Sequence, residues 1–209
     1  MTKFTTKVST ALVAATMFAG PLFAGEGDWL VRLRGIHVSP NESATISVIG
    51  GDAAIDTATV PELDISYFLT DNIAVELILA TTKHSPRAIG TAAGDLPLGS
   101  VYLLPPTVTV QYHPMPGEKF SPYVGAGVNY TIFYKEQDPA GVVTDIDYSN
   151  KFGLAAQAGA DFWVNKDWFL NVDVKKIWLK TDVAINAGTI NADVKINPWI
   201  FGVGFGRKF

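Results

Sequence analysis

The chain has 209 residues, 48% of them hydrophobic, with 16 basic and 20 acidic residues and no cysteine. An acidic balance argues against nucleic acid as a partner, and the lack of cysteine excludes a disulfide framework or a lipid-bearing cysteine. Beyond residue 24 no apolar run approaches the ~18 residues of a membrane helix, so the apolar content must be spread along the chain in some other pattern.

Lys3 and Lys7 precede an apolar run over 11–23, followed by the small Ala24 and a polar start at Gly25-Glu-Gly-Asp28. That order of charge, short greasy segment and small residue predicts a secretory signal peptide over 1–24. The remaining residues, 25–209, form one domain with no linker or repeat. Loss of the signal leaves 14 basic and 20 acidic residues.

Eight strands follow from alternation of period two. The first, 29–38, sets Arg32 and Arg34 opposite Trp29, Val31 and Leu33. The second, 60–69, puts Leu63, Ile65 and Tyr67 against Glu62, Asp64 and Ser66, and the third, 73–82, puts Val75, Leu77 and Leu79 against Glu76 and Ile78. The fourth, 106–113, opposes Val108, Val110 and Tyr112 to Thr107, Thr109 and Gln111. The fifth, 121–134, carries Val124, Val128 and Ile132 on one face and Tyr123, Asn129 and Phe133 on the other. The sixth, 150–164, separates Phe152, Leu154 and Phe162 from Gln157 and Asp161. The seventh, 168–180, separates Leu170, Val172 and Val174 from Asn171, Asp173 and Lys175.

The eighth strand closes the chain with Trp199, Phe201, Val203, Phe205 and Phe209 on one face and Gly202, Gly204 and Gly206 on the other. Bulky residues facing lipid and a bare face turned into a crowded lumen fit a barrel wall. Before Pro198 the apolar positions Val194 and Ile196 change parity, which predicts a one-residue bulge there. Connections at 70–72, 114–120 and 165–167 are short, and those at 39–59, 83–105, 135–149 and 181–192 are long. Short periplasmic turns and long outer loops are the asymmetry expected of an outer-membrane barrel. The predicted fold is therefore all-β, an eight-stranded antiparallel up-and-down transmembrane β-barrel in a bacterial outer membrane. Its aromatic carboxy-terminal strand, ending on Phe209, would be what periplasmic chaperones and the barrel-assembly machinery engage.

Several segments carry a family resemblance: Leu104-Pro-Pro-Thr-Val-Thr-Val-Gln-Tyr112, Phe120-Ser-Pro-Tyr-Val-Gly-Ala-Gly-Val-Asn-Tyr130, Thr70-Asp-Asn-Ile-Ala-Val-Glu-Leu77, Gln157-Ala-Gly-Ala-Asp161 and Ile196-Asn-Pro-Trp199. In these the chain resembles the outer membrane protein W family of eight-stranded barrels. The resemblance implies a narrow barrel with an apolar interior region that passes small hydrophobic molecules, and in some members a colicin receptor. Lys83-His84 falls where that family tends to have a basic residue and a histidine.

Inside such a barrel, Arg32, Arg34, Glu62, Asp64, Glu76 and Lys175 would form a charge network, since a buried charge needs a partner. Ile78, Phe133, Trp163, Ile177 and Leu179 share the inward parity and predict an apolar pocket for a small greasy solute, released sideways between strands into the outer-membrane lipid. The alternative is a structural or receptor barrel with a plugged lumen, whose outer loops bind a partner such as a bacteriocin. A soluble lipocalin-like carrier would leave too much apolar strand surface against water. His37, His84 and His113 are too scattered for a zinc site, and no serine stands where a histidine base could reach it from sequence spacing. The reading is accordingly no enzyme, no metal and no cofactor, with His84 as a polar anchor at the membrane interface.

Overall fold

The computed structural model describes residues 23–137 and 143–209; the expected signal peptide, except Phe23 and Ala24, lies outside them. Seventeen strands occur in chain order: β1 (Trp29–Ser39), β2 (Ser43–Ile46), β3 (Asp52–Ala54), β4 (Ala58–Phe68), β5 (Ile73–Ala80), β6 (Thr82–His84), β7 (Arg87–Thr91), β8 (Gly94–Pro97), β9 (Ser100–Leu104), β10 (Thr107–Tyr112), β11 (Phe120–Gln137), β12 (Ile146–Tyr148), β13 (Lys151–Trp163), β14 (Trp168–Trp178), β15 (Lys180–Ile185), β16 (Ile190–Lys195) and β17 (Trp199–Lys208).

Eight of these, β1, β4, β5, β10, β11, β13, β14 and β17, make a closed antiparallel barrel in up-and-down order. The first strand pairs with the last, from Leu30 opposite Lys208 to Ser39 opposite Trp199. Closure leaves the sheet no free edge, whose N–H and C=O groups hydrocarbon could not satisfy. The outer face is apolar where it meets lipid: Leu33, Val110, Val128, Leu154, Leu170 and Phe201 are all exposed. Aromatic pairs flank this belt. Trp29 with Tyr67 and Phe120 with Phe162 sit at the short-turn end, and Tyr130 with Phe152 at the other, as interfacial girdles do.

The long connections are largely strand rather than loop. β15 and β16 prolong β14 and β17, and with β12 and β2 they form a four-stranded wall; β6 and β9 prolong the other side against β11. β3, β7 and β8 make a small separate sheet in the outer connections. The bulge expected near Pro198 is absent. Lys176 pairs with Trp199 and Lys180 with Lys195, so both strands advance equally and no residue is inserted. Val194, Ile196 and Ile200 are buried because they point inward, into an interior that has itself become apolar.

Strand seven shows the change most plainly. Its inward row runs Asn171, Asp173, Lys175, Ile177, Leu179, Thr181, Val183, Ile185, all buried, while its outward row, from Leu170 and Val172 to Lys180 and Asp182, is exposed or half-buried. Inside the lipid belt the wall is greasy outside and polar inside. Beyond the belt, where water bathes the outer face, both preferences reverse.

Glycines on β17 make the interior possible. A Cβ on Gly204 would meet the Arg34 backbone and its side chain, and one on Gly206 would meet the Phe169 ring and Arg32 Cγ. The bare face leaves room for the two arginine stems. Gly204→Ala is expected to destabilise the barrel by about 1–3 kcal/mol through overpacking, measured as a lower urea midpoint in lipid vesicles. Gly35→Ala, whose Cβ would approach nothing nearer than 4.0 Å, should stay within about 0.5 kcal/mol of the parent.

Candidate functional site

The lumen divides into a charged layer within the belt and an apolar cavity above it. In the layer, Arg32 donates through Nε and Nη2 to the two Asp161 oxygens (3.2 and 2.7 Å) and through Nη1 to Asp64 (3.0 Å) and Ser66 (2.7 Å). Arg34 reaches Glu62 at 2.9 Å and Asp64 at 2.8 Å. Lys175 bridges Glu62 at 2.8 Å and Asp173 at 2.9 Å. Glu76 accepts hydrogen bonds from Thr109 (3.0 Å) and Gln157 (2.6 Å). The six residues proposed from the sequence are thus brought into one network. Asp161 and Asp173 join it, as do Tyr123, which donates to Asp173 at 2.9 Å, and Asn171, which donates to Asp161 at 2.8 Å. Both added carboxylates have the inward parity that marked the other six, so the signal for them was present in the alternation.

Above the layer lies a cavity of about 100 Å³, lined by Ile78, Phe133, Ile177 and Leu179 together with Ile36, Val101, Leu103, Val183, Val194 and Ile200. Glu62 and Lys175 form part of its floor. Such a volume approaches that of apolar cavities (on the order of 150 Å³) that stay dry and take up benzene-sized guests.

Trp163 is the one pocket residue of the sequence reading that the structure places elsewhere. It packs at the opposite, short-turn end, with Phe169 at 4.6 Å between ring centroids and with Leu30, Phe68 and Ala74 around it. Parity puts it inside, but it lies below the charged layer rather than above it. His84 also differs from expectation. It is buried and lines the cavity, its Nδ1 donating to the Asp56 carbonyl at 2.8 Å, because the barrel wall continues through β6 instead of ending in a loop. His113 lies buried beside Ser121, Nδ1 to Oγ 3.3 Å, a contact the sequence spacing did not show. It is sandwiched between the Phe68 and Tyr123 rings. Among the described residues no group of three or more histidine, aspartate or glutamate side chains is arranged to hold a metal ion.

One side of the cavity has an interrupted wall. The ladder between β5 and β10 ends at Ile78 opposite Thr107 and resumes between β6 and β9 at Thr82 opposite Leu103. Pro105 and Pro106 occupy the interval and have no N–H to offer a neighbouring strand. Ile78, Ala80, Thr82, Leu103 and Pro105 line the cavity at this seam.

A closed barrel with a lipid-facing belt, a charged lumen and an apolar chamber defines an integral outer-membrane β-barrel. The chain belongs to the OmpW family, whose sequence profile matches residues 25–209. Outer membrane protein W of Vibrio cholerae is 37% identical to it, covering 94% of this chain and 96% of that one. The dibenzothiophene metabolism operon protein DoxH of a Pseudomonas species is 30% identical, covering 91% and 93%. The crystal structure of the outer membrane protein OprG from Pseudomonas aeruginosa superposes with a TM-score of 0.82 at 30% identity, over 88% of this chain and 97% of that one. The protein resides in the bacterial outer membrane.

Removing one member of the charged network takes a counter-charge from its buried partners. Arg32→Leu, which leaves Asp161 without a cation and Asp64 with Arg34 alone, is expected to cost about 3–5 kcal/mol. The urea midpoint in lipid vesicles should fall accordingly, and an unchanged midpoint would show that the layer does not brace the barrel.

Proposed function

We propose that the protein admits small hydrophobic molecules across the outer membrane, holding them in the lumenal cavity and releasing them sideways into the bilayer. The observation that carries this reading is the apolar cavity seated directly on a layer of buried ion pairs and bordered by an interrupted ladder. Continued descent through the lumen would force a greasy solute among buried charges and would have to break their pairs. Departure through the seam keeps it in apolar surroundings throughout. The charged layer serves as a plug and brace; Ile78, Phe133, Ile177 and Leu179 form the solute's walls, while Trp163 seals the periplasmic end. A relative named for a dibenzothiophene metabolism operon supports an apolar solute class.

The same reading includes export and assembly. The family match beginning at residue 25 supports cleavage of residues 1–24. The exposed aromatic row of β17, ending on Phe209, suits recognition by periplasmic chaperones and the barrel-assembly machinery.

Two variants test the route in cells with an intact outer leaflet, by uptake of deuterated octane. Ile78→Lys places a charge in the cavity and should reduce uptake to the level of cells lacking the protein, while the folded barrel still resists denaturation by detergent. Unchanged uptake by a folded variant would remove the cavity from the path. Replacing Pro105 and Pro106 by alanine returns donors to the seam. Even one restored ladder bond, at ~1 kcal/mol, lowers the open population roughly fivefold, and uptake should fall with it.

A further inference from the structure

The cavity wall holds polar side chains whose hydrogen-bonding groups are already engaged. Thr107 Oγ1 donates to the Pro105 carbonyl at 3.0 Å, Thr131 to Asn129 at 2.7 Å and Thr181 to the Ser149 carbonyl at 2.7 Å. His84 Nδ1 is taken by the Asp56 carbonyl. Tyr148 differs from these. It lines the same cavity, yet its hydroxyl is buried with no hydrogen-bond partner among the described residues. A buried hydroxyl without a partner is costly and uncommon in a settled structure, and here it borders the space a solute would enter.

The ring that carries this hydroxyl is held firmly. It stacks on Phe133 with centroids 5.3 Å apart and planes 13° from parallel. Its strand, β12, pairs Tyr148 with Val183, and its backbone N–H donates to Glu136 Oε1 at 3.3 Å. Burial, with the Glu136 carboxylate as a lesser cause, holds the phenol above its ordinary range, so it keeps its proton and stands ready as a donor. A fixed donor whose proton is still free, in a largely apolar chamber, gives orientation and selectivity, as the few polar groups of small-molecule sites generally do.

We propose that Tyr148 is a specificity residue, and that the preferred guest is an apolar molecule bearing one hydrogen-bond-accepting oxygen, such as a ketone, an ester or an alcohol, rather than a bare hydrocarbon. The inference rests on the cavity being the solute's site. The oxygen accepts a hydrogen bond from Tyr148 Oη, while the hydrocarbon part lies against Ile177 and Leu179. A hydrocarbon of the same length gains the same apolar contact and leaves the hydroxyl unpaired.

The test uses the refolded full-length barrel in lipid nanodiscs with methyl-labelled isoleucine and leucine. 2-Octanone and n-octane serve as probes, each corrected for its partition into empty nanodiscs. In the parent protein both should shift the Ile177 and Leu179 methyls, with 2-octanone binding roughly tenfold more tightly. In Tyr148→Phe, which keeps the stacked ring, that preference should vanish while octane binding is unchanged. If both probes move the cavity methyls and their affinity ratio is the same in parent and variant, the solute site stands and the role of Tyr148 is overturned. If neither probe moves them, the solute site falls and this inference falls with it.

Discussion

Eight charged side chains share the middle of this barrel, three basic and five acidic, and every one is buried. That layer is the constraint on which the rest of the structure depends. Charges removed from water must meet one another at hydrogen-bonding distance, and here they come from five different strands. Arg32 alone ties β1 to β4 and β13, and Lys175 ties β14 to β4. The layer fixes which strands face which across the lumen. It also demands bare wall opposite the long arginine stems, which the glycines of β17 provide. A barrel of eight strands is narrow enough for such side chains to meet across its centre.

The apolar chamber depends on the same layer. With charge pairs as a floor, the space above can be apolar without opening a path for water, and its walls are hydrocarbon apart from a few threonines, His84 and Tyr148. The wall that surrounds it continues past the lipid belt, so that its outer face carries Lys180, Asp182, Asp193 and Lys195 while its inner face carries Val183, Ile185, Val194 and Ile196. At this height the polypeptide behaves as a water-exposed sheet folded around a greasy core. At the seam beside Pro105 and Pro106 the chamber's edge coincides with a break in strand pairing near the membrane.

Much of this was legible in the alternation of side chains, and the failures have one physical origin. Within the belt, lipid outside and a polar lumen inside impose opposite demands on successive residues, so the eight strands, their facing residues and the charged network read directly from the sequence. Period two reports which face a residue takes but not how high it stands. Trp163 and Ile177 share an inward parity, and nothing in their spacing says that one lies beneath the charged layer and the other above it. Where the solvent outside changes from lipid to water, the demands invert while the register continues. Val194 and Ile196 then look like a parity error that a bulge must correct, and His84 looks like an interface residue when it lines the cavity. Tyr148 was invisible for another reason: it stands on a three-residue strand whose place is set wholly by its pairing with β15 and its stack on Phe133.

The most direct test of the account locates a guest relative to the charged layer. Crystals of the barrel grown with 1-bromooctane would place the bromine by its anomalous scattering. A peak inside the chamber walled by Ile78, Phe133, Ile177 and Leu179, with the pairs of Arg32, Arg34 and Lys175 intact beneath it, is the result predicted. A peak at or below those pairs, or only on the lipid-facing surface, would contradict a chamber that ends at the charged floor.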